Sequence, residues 1–114
     1  MKRAFCVVVA MALASTVVSA QDAKQAEAGK KLFTSKQCTK CHRIAGVGAK
    51  AGGKLDGVAS KVSAEDMRRW LTEPAEMEKS LDHKPKLKMS SKMTQLALKE
   101  TDIAALITYL QTLK

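Results

Sequence analysis

Aromatic side chains are scarce: the 114 residues include one Trp, one Tyr and two Phe. A core built from the chain's own side chains would be thin, yet a hydrophobic fraction of 46% argues against disorder. Acidic residues are in the minority, 11 against 20 Lys and Arg. No apolar run reaches the ~18 uninterrupted residues that a membrane span needs. No strand pattern of any length and no internal repeat is present. The length allows one small domain, which excludes a dinucleotide-binding unit with a substrate domain, a barrel enzyme or a multidomain receptor.

The first residues read as an address. Lys2 and Arg3 precede a run from Ala4 to Val18 that is apolar apart from Ser15 and Thr16. Val18, Ser19 and Ala20 then offer small residues for cleavage, so 1–20 is expected to be an export signal peptide, with Gln21 as the mature start. A membrane anchor would need a longer run, and Cys6 lacks the small-residue context of a lipid-attachment site. Cleavage leaves residues 21–114 as a single domain of 94 residues, with 18 basic and 11 acidic side chains and a formal charge of +7. Cys6 leaves, and Cys38 and Cys41 remain. The expected location is the bacterial periplasm, with no stable membrane insertion after cleavage.

Two Cys in an exported chain usually suggest a disulfide. Here they stand in Cys38-Thr39-Lys40-Cys41-His42, a Cys-x-x-Cys-His run, which is the attachment signature of a c-type haem. Thiols three residues apart can each add across one haem vinyl group, and the adjoining His is then held beneath the iron. A thioredoxin-like redox pair would sit in a βαβ pattern, which is missing. Half of a zinc site would need a second Cys/His pair, and His83 stands alone. One copy of the motif implies one haem c.

The helical pattern is strong at both ends of the mature chain. From Asp22 to about Lys36, Ala26, Gly29, Leu32 and Phe33 share one helix face. Five glycines between Ile44 and Gly57 mark a loop. Ser63 to Asp66 matches a capping box, after which Met67, Trp70 and Leu71 share a face until Pro74 stops the helix. Ala75 to Leu98 reads as irregular and Lys-rich. Glu100 to Leu113 is the clearest helix, with acids in its first turn and a stripe of Ile103, Leu106, Ile107, Leu110 and Leu113.

With these features the sequence from about Glu27 to Leu113 resembles the class I cytochromes c, small monohaem electron carriers. The resemblance implies an all-α fold of three to four main helices around one covalent haem, with the N- and C-terminal helices packed crosswise. Gly29 and Phe33 would meet Leu106 and Tyr109 there. It also implies a Met as sixth ligand, and two residues compete. Pro85-Lys86-Leu87-Lys88-Met89 resembles the family's Pro-x-x-Lys-Met. Met93-Thr94-Gln95-Leu96-Ala97-Leu98 resembles the bacterial Met-Pro-x-Leu/Phe-Gly-Leu and runs without a gap into the last helix. Met93 is favoured and Met89 is the alternative. Met67 reads as core, Met77 as a weak candidate and His83 as an outside one.

Two further positions follow from the resemblance. Gly53 stands where the family has a Pro whose carbonyl accepts the proximal His proton, so the carbonyl survives and the stiffness does not. Trp70 matches a Trp near a haem propionate, or it is simply packed in the core. The implied activity is one-electron transfer without bond chemistry, so an enzyme is not expected. Lys36 and Lys40 beside the Cys, and Lys84, Lys86, Lys88 and Lys92 in the ligand loop, would suit acidic patches on redox proteins. No nucleic acid is expected, and the protein would be a monomer. Alternatives are a haem-based ligand sensor or peroxidase-like protein, which needs a labile sixth ligand, and a small electron-transfer subunit of a periplasmic dehydrogenase or reductase.

Overall fold

A computed structural model describes residues 16–82 and 89–114. His83, Lys84, Lys86 and Lys88, and the positive start of the expected signal peptide, lie outside the described residues. Among the described residues five α-helices follow one another: α1 (Thr16–Ser35), α2 (Ala64–Thr72), α3 (Pro74–Lys79), α4 (Met89–Thr94) and α5 (Glu100–Leu110). Single 3-10 turns occupy Cys38–Lys40 and Val58–Ser60, and no strand occurs among the described residues. The all-α expectation holds.

α1 and α5 pack against each other, and the sequence says why they can approach closely. A Cβ on Gly29 would overlap the Ala105 carbonyl and lie 2.7 Å from Tyr109 Cβ. Only hydrogen fits at that crossing. One turn later Phe33 meets Tyr109 edge-on, with ring centroids 6.0 Å apart. Leu106 of α5 is fully buried, 2% exposed. Thr108 donates its hydroxyl to Gln25 Oε1 at 2.9 Å, which links positions 83 residues apart in sequence. The expected Gly29–Tyr109 pairing is therefore present, and Ala105 is the close neighbour that sequence reasoning missed.

α5 supplies five of the buried apolar residues: Ile103, Ala105, Leu106, Ile107 and Leu110. Its start is fixed by the Lys99 N–H, which donates to Asp102 Oδ2 at 3.1 Å. α2 packs on it through Met67, which joins Ile103, Ile107 and Leu110 in one cluster. Met67 is core, as expected. The Asp66 N–H donates to Ser63 Oγ at 3.1 Å, so the serine caps α2. Arg68 reaches Glu100 Oε2 at 2.8 Å, an exposed pair of small energetic consequence.

Four boundaries differ from expectation, the simplest being the end of α5, which stops at Leu110 and leaves Leu113 beyond the helix. α1 begins at Thr16, earlier than Asp22, and runs through the Ala20–Gln21 junction. Neither Gly nor Pro interrupts Thr16 to Ala28, so nothing in the backbone chemistry stops the helix there. Pro74 does end α2, but it also opens α3 as its first residue, where a missing N–H and a fixed φ cost nothing. The described part of the 75–98 stretch thus holds most of α3 and all of α4 and is only partly irregular. Met77 of α3 is buried, 7% exposed.

Candidate functional site

The end of α1 aims the chain into a tight turn. Gln37 takes a left-handed conformation, φ 60°, and reverses the backbone immediately before Cys38. Cys38 O then accepts from both the Cys41 N–H at 3.1 Å and the His42 N–H at 2.8 Å. One carbonyl thereby gathers the three chemistry-bearing residues into a single turn. Both thiols are free and half-buried. Burial pushes the Cys38 thiol above its ordinary value.

His42 is half-buried, and burial holds its imidazole below the ordinary value, opposed by a bond to the Gly53 backbone. That bond runs from His42 Nδ1 to Gly53 O at 3.3 Å. A carbonyl oxygen only accepts, so the proton sits on Nδ1 and the Nε2 lone pair is left for a metal. Two free thiols three residues apart and an oriented neutral imidazole are the donor set that a covalent haem requires.

The carbonyl predicted at Gly53 is where the sequence puts it, but its backbone is not a proline's. Gly53 has φ +93°, and its N–H donates to Lys50 O at 3.0 Å. Proline, locked near −65° and without an N–H, does not fit this conformation. Cross-bonding does the stiffening instead. Gly52 N–H donates to Cys41 O at 2.6 Å, and Ala49 N–H donates to Thr39 O at 2.9 Å. Gly48, φ +104°, lies against the turn so closely that a Cβ would strike the His42 carbonyl. Arg43, whose Nε donates to Gly48 O at 2.9 Å, had no sequence signal beyond adjacency to the motif, and Gly48 showed only as one of the loop glycines.

The methionines separate by position. Met89 and Met93 stand one helical turn apart in α4, and Met93 is half-buried. Met67 and Met77 are taken up in the interior. Four residues after Met93, Ala97 adopts φ +49°, a left-handed turn that joins α4 to α5. Trp70 is half-buried on α2.

A family model for cytochrome c matches residues 26–114, most of the chain. The chain belongs to the cytochrome c family. Membership brings a covalently held haem c, with its iron, and a place in electron transport. The five-helix all-α architecture agrees with the small cytochrome c fold. No curated protein and no solved structure matches the sequence.

Proposed function

We propose that this cytochrome c is a class I monohaem electron carrier. Residues 21–114 would act in the bacterial periplasm after removal of a signal peptide. The haem supplies a one-electron ferric/ferrous couple. Cys38 and Cys41 hold it by thioether bonds, which prevents its loss outside the cytoplasm. His42 would hold the iron through Nε2, and the Gly53 carbonyl keeps that imidazole oriented and basic. Met93 is the sixth ligand, with Met89 the alternative, and Trp70 would donate its indole N–H to a propionate unless it simply packs in the core. A Met thioether favours ferrous iron and raises the reduction potential.

The observation that carries this reading is the His42 Nδ1–Gly53 O bond, because it fixes the tautomer that a ligating imidazole needs. The partners in this reading are redox proteins with acidic docking patches. Lys40 is exposed within the haem-attachment turn and Lys92 is exposed on α4. Charges at these places would steer association and make its rate fall as salt shortens the screening length to about 10 Å or less.

Spectra of the ferric and ferrous holoprotein test the assignment. Met93→Ala should lose the Met-type low-spin ferric spectrum and Met89→Ala should keep it; the reverse result moves the ligand to Met89. A low-spin Met spectrum surviving in both variants rejects both. Carbon monoxide should leave the reduced wild-type protein unchanged at neutral pH. Ready binding would instead indicate a ligand sensor or peroxidase-like role. Amino-terminal sequencing of the exported protein should begin at Gln21.

A further inference from the structure

We propose that Arg43 is a positioning residue for the proximal ligand: it pins both arms of the 44–54 loop so that the Gly53 carbonyl meets His42 Nδ1. The inference rests on the reading above in which His42 ligates the iron.

Arg43 follows His42 directly, and its main chain holds the returning arm of the loop. Its N–H donates to Gly53 O at 3.4 Å, and its carbonyl accepts from the Leu55 N–H at 2.9 Å. Its side chain holds the outgoing arm. The part-buried guanidinium donates through Nε to Gly48 O at 2.9 Å. Among the described residues no carboxylate forms an ion pair with Arg43, so this backbone contact is what orients it. Gly48 can receive it only because it has no Cβ, which would collide with the His42 carbonyl and lie 3.0 Å from Thr39 O.

The geometry at Gly53 makes this anchoring matter. Its carbonyl serves two donors, His42 Nδ1 at 3.3 Å and the Arg43 N–H at 3.4 Å. Both distances lie beyond the usual range of about 2.7–3.2 Å for N–H···O bonds, so neither donor holds the carbonyl strongly. A loop that slides by a few tenths of an ångström hands the carbonyl to one donor or the other. The bond to the ring nitrogen sets the ligand's basicity and the ring's orientation, so the loop anchor acts on the iron through His42. The donor is a planar guanidinium N–H fixed near the backbone, which a Lys ammonium at the end of a flexible stem does not reproduce.

Arg43→Lys keeps the charge and removes the Nε donor. In the ferric holoprotein, NMR should show the Nδ1 proton of Arg43→Lys exchanging roughly tenfold faster than wild type, the effect of losing about one hydrogen bond's worth of protection. The reduction potential should rise, since a less basic imidazole stabilises ferric iron less. Gly48→Ala, which pushes the same arm away by a different route, should move both readouts in the same direction. Arg43→Lys with unchanged exchange and unchanged potential overturns the proposal. A lower melting temperature without either shift marks Arg43 as a merely structural residue and overturns it equally. If the His42 ring of the wild-type ferric protein carries no hyperfine shift, His42 is not the ligand, and the functional reading falls together with this one.

Discussion

At Gly29 the absence of a methyl group decides the sign of a mutation. Elsewhere in an exposed helix Gly→Ala gains about 1 kcal/mol. Here the new Cβ would press into the Ala105 carbonyl, and Gly29→Ala should instead lose about 1–3 kcal/mol as an overpacked core site, measured by denaturant unfolding of the holoprotein. Ala97 presents the opposite case. It is exposed and holds φ +49° without the freedom of glycine. A left-handed alanine costs about 1–2 kcal/mol, so Ala97→Gly should gain stability, less the unfolded-state entropy of the new glycine. An unchanged or lower unfolding midpoint would show that the turn is not strained. Neither site's energetics follows from residue type alone. Gly29 was legible because Phe33 stands one turn later in a helical pattern. Arg43, Gly48 and Ala97 were not, because their roles depend on dihedral angles and on carbonyls brought close by the tertiary fold.

Elements long enough to show a period were readable, and short ones were not. α5 repeats its apolar residues over three turns, and α2 carries a recognisable serine cap. Ser63→Ala should cost about 1 kcal/mol, since the Asp66 N–H would lose its only side-chain acceptor at the helix start; calorimetry of the holoprotein would reveal it. By contrast α3 and α4 span six residues each, fewer than two turns. No stripe can be recognised in so short a piece. Pro74 was correctly read as a helix stop, but a proline also suits the first position of the next helix. The attachment turn was legible in full from Cys38 to His42, whereas the loop that braces it showed only as a run of glycines.

Over the whole molecule, interior apolar material is concentrated on one element. α5 contributes five of the eight buried hydrophobic residues among those described, and α1 adds Phe33. The haem is therefore expected to complete the core. Removing its attachment by Cys38→Ala with Cys41→Ala should abolish most of the helical circular dichroism of the purified chain. An apoprotein that keeps its helices and sharp side-chain NMR signals would show that the polypeptide core suffices. The alkaline limit has a specific source as well. Burial raises the Tyr109 phenol above its ordinary value, and nearby Glu27 adds to the effect. A raised folded-state value means that stability is fully present below about pH 10 and falls as pH climbs through the folded value. Tyr109→Phe should flatten that part of the alkaline decline in urea titrations. Finally, the contact of α1 with α5, joined by Gln25 and Thr108 across 83 residues, has a consequence in time. α5 follows α1 in the chain, so α1 has no partner until a ribosome has extended the chain through Leu110. Closing a segment of that length carries an entropic cost of about 4 kcal/mol. Until then Cys38 and Cys41 belong to an open chain, in which both thiols remain within reach of the machinery that must modify them.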